Sequence, residues 1–451
     1  MNVKGKEVMV AGAGKSGIAA AKLLLGLGAK VILFDQNESC DKQRVMDELA
    51  SDNASIMIGT PKEEQLQQVV LLVMSPGISI EAPFTALFRN NNIPIWSEVE
   101  LAYQFGKGRL AAITGTNGKT TTTTLVGEIM KAYYDSVFVV GNIGTPYTKA
   151  SLLMTDDTVT VAEISSFQLE SIVDFEPTVS AVLNVTPDHL DRHHTMEMYA
   201  QTKLEIASNQ SADEVIVLNY DDDITRAMAD NVRARVVYFS RLELLDDGVC
   251  VEKDAMVLRK KGNTELTFCK LSELKLLGVH NVENVLAAAA ISYFMGVPAE
   301  VIHNVVTQFM GVEHRIEYVD TVDGVDYYND SKGTNPDAAI KGIQAMVKPT
   351  LLIGGGYDKK VPFDDWVACF EGKVKYLVLF GETAEKIKNA AVAQGFSDII
   401  MVSDLQEAVN ICAVKAEPGD AVLLSPACAS WDMFDSYEQR GNLFKEYVKA
   451  L

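Results

Sequence analysis

The chain has 451 residues, 48% hydrophobic and 22% charged, so at about 150 residues per domain it holds roughly three domains with ample core. Ordinary glycine, proline and aromatic content (31 Gly, 13 Pro, 8% aromatic) excludes disordered, collagenous and small disulfide-framework classes. Lysine and arginine number 40 against 61 acidic residues, and a net charge of −21 repels polyphosphate, which disfavours nucleic-acid binding and requires any anionic ligand to be held locally.

Short β-rich runs at 8–11, 31–34 and 69–74, with a helical pattern at 16–27, predict a parallel, doubly wound sheet. The last run stops at Ser75-Pro76-Gly77, and the pattern restarts near 94–97. A second series at 110–114, 137–140, 159–162, 179–185 and 215–218 ends, run by run, in polar or glycine-containing turns, where open α/β sheets bind ligands. An alanine-rich helix is predicted over 284–295, and the rhythm resumes after Gly311 with runs at 325–328, 350–353, 376–380, 399–402 and 421–424. The expected domains are therefore 1–97, 98–311 and 312–451. Six cysteines without a Cys-x-x-Cys pair predict reduced core thiols. No apolar run approaches the ~20 residues of a membrane span and no signal-peptide core opens the chain, so a cytoplasmic protein without membrane insertion is expected.

Three motifs carry chemistry. Gly12-Ala-Gly-Lys-Ser-Gly17 follows a strand and opens a helix, and Asp35 ends the next strand, which together form a dinucleotide-binding fingerprint. Its glycines let backbone N–H groups approach a phosphate, although such a turn also occurs in doubly wound sheets without one. Thr114-Gly-Thr-Asn-Gly-Lys-Thr120 is the stronger signal: backbone amides and Lys119 can neutralise ATP phosphates while the Thr120 hydroxyl reaches Mg²⁺. It departs from the strict pattern at Ile113, where a glycine is usual. Glu163 and His189, each at or just beyond a strand end, are expected on the same rim as Lys119, where a carboxylate and an imidazole can complete the coordination of one or two Mg²⁺ ions. His193 and His194 are expected to be solvated loop residues.

Gly115-Thr-Asn-Gly-Lys-Thr120, Gly141-Asn-Ile-Gly144, Glu163-Ile-Ser-Ser-Phe-Gln168, the segment 184–191, His280-Asn-Val-Glu-Asn284, His314-Arg315 and Asp330-Ser-Lys-Gly-Thr-Asn335 occur in one order along essentially the whole chain. In that order they resemble the Mur ligase family, ATP-dependent amide-forming enzymes of peptidoglycan precursor synthesis and hence of cell-wall biogenesis, cell shape and division. Leu424-Ser-Pro-Ala-Cys-Ala-Ser-Trp-Asp432, followed by Tyr437-Glu-Gln-Arg-Gly441, looks like the D-glutamate-adding branch. The Asp-Asn-Pro-Arg motif of the diaminopimelate- or lysine-adding branch is absent, and Asn117 stands where the alanine-adding branch usually has histidine.

The resemblance implies three α/β domains: an N-terminal Rossmann-like domain for the UDP end, a central P-loop ATPase with a mostly parallel sheet, and a C-terminal Rossmann-like domain for the amino acid. It implies UDP-substrate contacts at Gly14, Ser16, Asp35, Gln36, Ser75 and Gly77, with Asn142, Ser165, Gln168 and His189 against the muramoyl part. Asn37 stands where family members often carry a basic residue. ATP contacts are implied at Gly115, Thr116, Asn117, Gly118, Lys119, Thr120, Thr121, Asn281, Asn284, Arg315 and Asp330. The Asn281 and Asn284 pair can equally be a helix N-cap. Because Arg315 and Asp330 belong to the C-terminal block, domain motion is expected to complete the ATP site. D-glutamate contacts are implied at Lys332, Thr334, Lys359, Ser430 and Tyr437, the last replacing a common phenylalanine.

The implied catalytic group is Lys119, Lys203, His189 and Glu163, and the implied ligands of two magnesium ions are Thr120, Glu163, His189 and Lys203. Lys203 would serve as a carbamate, formed by CO₂ on its neutral amine. The substrates implied are UDP-N-acetylmuramoyl-L-alanine, D-glutamate and ATP, acted on by a monomer. Two other readings stand beside this one. A nicotinamide dehydrogenase would rest on Gly12–Gly17 and Asp35, and a non-catalytic nucleotide-dependent module would keep the phosphate loop but make no ADP.

Overall fold

A computed structural model describes residues 1–142, 144–276, 278–370 and 372–451; Ile143, within the Gly141–Gly144 piece, lies outside the described residues. The strands assemble into three sheets. The first has the order Ala54–Ile58, Lys30–Asp35, Glu7–Ala11, Val69–Met74, Ile95–Ser97, parallel throughout. Its central strands are apolar at consecutive positions because both faces are covered. Val8, Val10, Val31, Leu33, Leu71 and Val73 pack with Ile18, Ala20, Leu23 and Leu24 of the helix Lys15–Gly26, while Met9, Phe34, Leu72 and Met74 pack with Phe84 and Phe88 on the other side. The edge strand Ala54–Ile58, absent from the sequence prediction, is only partly buried and lacks that signal.

The second sheet has nine strands in the order Asn263–Lys270, Ala255–Lys260, Gly248–Glu252, Arg235–Ser240, Val215–Asn219, Val179–Val182, Arg109–Thr114, Val159–Glu163, Val137–Gly141. From Gly248–Glu252 onward neighbours are parallel, and the first three strands form an antiparallel meander. Two expectations are corrected here. The strand predicted over 179–185 ends at Val182, where the Leu183 N–H donates to the Thr114 carbonyl (3.0 Å) and the chain turns across the phosphate loop. The helix predicted from 284 begins at Val279, so Asn281 and Asn284 lie inside it and neither is its N-cap.

The third sheet has the order Glu317–Val322, Val325–Asn329, Ala421–Leu424, Thr350–Gly354, Val374–Leu379, Ile399–Met401, with only the first pair antiparallel. Its two faces bury separate clusters, one around Trp366 and Leu377 and the other around Val378, Phe380 and Phe444.

By contacts the chain divides into two compact units, 1–274 with 283–307, and 275–282 with 308–451. The first two sheets share the first unit and are joined by buried carboxylates. Glu98 accepts from the Thr148 N–H (2.8 Å) and hydroxyl, and burial raises its pKa. Glu100, fully buried, accepts from the N–H groups of Val173 (2.9 Å), Asp174 (3.1 Å) and Phe175 (3.1 Å), the donors that a desolvated carboxylate needs. All six cysteines are free, and burial pushes the Cys428 thiol up to about 11 and Cys269 up to about 12. Among the described residues no helix is long and apolar enough to cross a membrane.

The turn after the first strand is the tightest approach in the first sheet. A Cβ on Gly17 would lie 1.8 Å from the Gly12 carbonyl oxygen, and Gly12 itself has φ +95°. Gly17→Ala is therefore expected to destabilise the chain by about 3 kcal/mol, the upper end for overpacking, read as a lower midpoint in urea unfolding. An unchanged midpoint would mean that the turn opens without cost.

Candidate active site

Parallel register sets Ile113 beside both Glu163 and Ala181, so the carboxyl ends of three adjacent strands form one rim. From the middle strand the chain enters the loop 115–118 and then the helix Lys119–Lys131, which Gly118 caps in the left-handed region (φ +82°). Gly115 (φ +151°) admits Leu183, whose Cβ would be 3.0 Å from an added Cβ. The segment after Val182 braces this loop. Asn184 accepts from the Asn117 N–H (2.8 Å) and its amide donates to the Asn117 carbonyl (3.1 Å), while the Thr116 hydroxyl accepts from the Thr186 N–H (3.0 Å). Thr120 and Thr121 follow in the first helical turn, and Asn284 accepts from the Thr122 hydroxyl (3.4 Å).

Two lysines converge on one oxygen. Lys119 Nζ donates to the carbonyls of Gly115 (2.8 Å) and Thr116 (2.9 Å), and Lys203 Nζ, on the helix Met196–Leu204, donates to the same Gly115 carbonyl (2.9 Å). Lys203 is 1% exposed and lies over the Tyr199 ring at 4.4 Å. Burial, with the Lys119 charge beside it, pushes its ammonium down to about 7 against the opposing pull of Asp188. Such a site favours a lysine that sheds its proton or meets negative charge.

Glu163 is buried at its strand end. Its Oε1 accepts from the Asn142 amide (2.9 Å), and its Oε2 takes no hydrogen bond among the described residues. A buried carboxylate oxygen left open in this way fits a cation. Among the described residues no three His, Cys, Asp or Glu side chains converge to hold a metal, so a magnesium ion here would draw most of its shell from phosphate oxygens and water. His189 has φ +52°, its ring lies 4.9 Å from that of Phe167, and its N–H donates to Asp188 (3.0 Å). Ser165 and Gln168 close a capping box on each other (2.9 and 3.3 Å), so part of their polarity serves the short helix Ser166–Leu169.

His193 corrects its expectation as a solvated residue. It is 4% exposed, shares a 2.9 Å hydrogen bond with the Ser166 hydroxyl and stacks on Phe167. Burial and the Arg192 charge push it down to about 4, so it is neutral. His194 is exposed. At the first sheet, Asp35 accepts from the Ala13 N–H (2.7 Å), closing the turn that carries Gly14 and Ser16, while Gln36 is exposed. Ser75 lies beneath that turn with its hydroxyl unpartnered among the described residues, and Gly77 is exposed.

The second unit carries its own polar centre. Asp330 is buried and accepts from the Ser425 hydroxyl (2.7 Å); burial pushes its carboxyl up to about 7 against that bond and the Arg315 charge. Lys332 lies over the Tyr437 ring (5.7 Å), Lys359 donates to the Thr334 carbonyl (3.2 Å) and lies over Trp431 (5.5 Å), and the Ser430 hydroxyl is buried without a partner among the described residues. Arg440, which motif matching alone did not single out, is fully buried. It donates to the carbonyls of Ser331 (2.8 Å) and Cys428 (3.2 Å) and to the Ser331 hydroxyl (3.0 Å), fixing the two strand-end loops that bear Lys332 and Ser430. Asn281 falls in this unit and Asn284 in the other.

Family models match the chain in sequence order: Mur ligase MurD-like N-terminal domain at residues 6–97, Mur ligase middle domain at 113–292, and Mur ligase glutamate ligase domain at 314–428. The UDP-N-acetylmuramoylalanine–D-glutamate ligase of Lachnoclostridium phytofermentans is 52% identical over 100% of this chain and 99% of that protein. That of Clostridioides difficile is 45% identical over 100% of each. Among solved structures, UDP-N-acetylmuramate-alanine ligase from Thermotoga maritima (TM-score 0.60, 18% identity, 99% of each chain) and MurF from Acinetobacter baumannii (0.61, 15%, 94% of this chain and 91% of that one) share the fold.

At Gly118 in the phosphate loop a side chain is doubly penalised. A Cβ on Gly118 would lie 2.2 Å from Asn284 Oδ1 and would have to adopt a left-handed backbone. Gly118→Ala should cost about 1–3 kcal/mol of loop geometry and weaken ATP binding by about tenfold to a hundredfold, measured with a fluorescent ATP analogue. Unchanged affinity would remove this loop from the nucleotide site.

Proposed function

The chain belongs to the Mur ligase family, and from that premise we propose that it catalyses ATP-dependent addition of D-glutamate to UDP-N-acetylmuramoyl-L-alanine in peptidoglycan precursor synthesis. The site observation that carries this reading is the phosphate loop whose Gly115 carbonyl gathers Lys119 and Lys203, on the strand-end rim that also holds the open carboxylate oxygen of Glu163. The L-alanyl carboxylate oxygen attacks the γ-phosphorus and the bond to ADP breaks, giving an acyl phosphate. Lys119 and the N–H groups at the start of its helix stabilise the charge spreading over the transferred phosphoryl oxygens. The amine of D-glutamate then attacks the acyl carbon, loses a proton and expels phosphate. No side-chain nucleophile is required, and the chain's work is positioning and charge neutralisation.

Thr120, Glu163, His189 and Lys203 are the residues that would hold magnesium, and the ions would supply charge neutralisation on ATP. Lys203 would serve there as a carbamate, which requires a neutral amine, and its depressed pKa supports this role. Arg315, Asp330, Asn281 and Asn284 are assigned to ATP. Gly14, Ser16, Asp35, Gln36, Ser75 and Gly77 are assigned to the UDP end, and Asn142, Ser165, Gln168 and His189 to the muramoyl part. Lys332, Thr334, Lys359, Ser430 and Tyr437 are assigned to the dianionic acceptor, whose carboxylates call for cations and hydroxyl donors. The working boundaries are 97/98 and 311/312, and the working unit is a monomer in the cytoplasm.

ADP release is expected to require both the muramoyl substrate and D-glutamate, in a coupled assay with a panel of amino acids. Equal release with L-glutamate, or without any amino acid, defeats the assignment. Lys203→Arg keeps the charge but forms no lysine carbamate, so turnover should fall at least ~100-fold while the unfolding midpoint stays near that of the parent, and the carbamate signal seen by NMR with ¹³C-bicarbonate should vanish. Full turnover in that variant removes the carbamate.

A further inference from the structure

Arg192 is not among the residues assigned above, yet it touches each of three elements assigned to the UDP substrate. Its Nε donates to Glu170 Oε1 (2.9 Å) and its Nη2 to Glu170 Oε2, a bidentate pair in which both side chains are largely buried at 14% and 12% exposure. Its Nη1 donates to the Pro76 carbonyl (2.9 Å) and its Nη2 to the Ile78 carbonyl (3.1 Å), the two carbonyls that flank Gly77. The guanidinium lies 4.0 Å over the Phe167 ring, which in turn contacts the rings of His189 (4.9 Å) and His193 (5.6 Å). Glu170 directly follows the helix Ser166–Leu169, whose N-cap is Ser165.

A loop of the first sheet, the capped turn of the second and His189 are thus referred to one planar cation. Arginine suits this place because its fork satisfies a carboxylate on one edge and carbonyls on the other while its face stacks on a ring. Lysine has no such plane and cannot make all of these contacts at once. The substrate assigned to this surface has two separated ends, a nucleoside diphosphate at one and a carboxylate to be activated at the other. Binding energy from a remote end aids the reacting end only where the protein holds the two subsites at a fixed separation.

We propose that Arg192, paired with Glu170, is a positioning residue that sets the distance between the diphosphate subsite on the 75–77 loop and the reacting end near His189, so that UDP binding is converted into turnover. The assignment rests on the functional reading above. The test compares full UDP-N-acetylmuramoyl-L-alanine with N-acetylmuramoyl-L-alanine lacking the nucleotide, in the parent and in Arg192→Lys, with the KM values for ATP and D-glutamate measured alongside. Arg192→Lys should lower kcat/KM for the full substrate at least ~10-fold and for the truncated one less than ~3-fold, with both other KM values within ~2-fold. Should Arg192→Lys not fold, Glu170→Gln, which leaves the two carbonyl contacts in place, should show the same asymmetry at smaller size. Equal losses on both substrates, or no loss, overturn the positioning role and leave an ordinary structural contact. A parent enzyme that turns over neither substrate defeats the functional reading itself, whereas a working parent with a symmetric variant defeats only the role of Arg192.

Discussion

Lys119 and Lys203 reach the Gly115 carbonyl from different helices, and the rim is organised around that one oxygen. Neither cation can be farther from the other than two hydrogen bonds allow, in a place where burial weakens solvent screening. That repulsion is relieved when Lys203 sheds its proton or when negative charge arrives, and the nearby choices fit this requirement. Glycine at 115 lets Leu183 close in, the 184–186 segment fixes the loop through the uncharged Asn184 amide and a backbone N–H rather than through cations, and Glu163 keeps one oxygen open.

The second unit handles charge differently. Arg440 is buried against carbonyl and hydroxyl oxygens, with Asp330 and Asp432 acting on it through space, and burial pushes its guanidinium down to about 10. Donors spent on backbone carbonyls make a cation into a mechanical brace. Lys359 lies over the Trp431 face, which retains a cation without neutralising it as a carboxylate would.

How much of this was legible in the sequence depended on whether a signal was local. The strands leading into Gly12, Gly115 and Glu163 are continuous apolar runs closed by turn residues, and both glycine loops announce their strand-to-helix context. The meander Gly248–Lys270 escaped because its strands are interrupted by charged pairs such as Arg259-Lys260 and its pairing partners shift register by bulges. Asn284 resembled a cap because asparagine is a poor helix interior residue, but its contact with Thr122, on the helix that follows the phosphate loop, holds it within its own helix. His193 and Arg192 were opaque for a different reason. Their meaning lies in Ser166, Phe167 and Glu170, more than twenty residues away, and nothing in the local spacing points there.

The joint between the first two sheets has an evolutionary corollary. Glu100 grips the N–H groups of Val173, Asp174 and Phe175, groups that every residue except proline supplies. At this part of the seam one side is therefore written in a single carboxylate, while the opposite side can carry almost any side chains that preserve its backbone path. Tolerance to substitution here is lopsided: exchanging the Glu100 anchor strands three buried N–H groups, whereas side chains on the surface it holds can be exchanged around it.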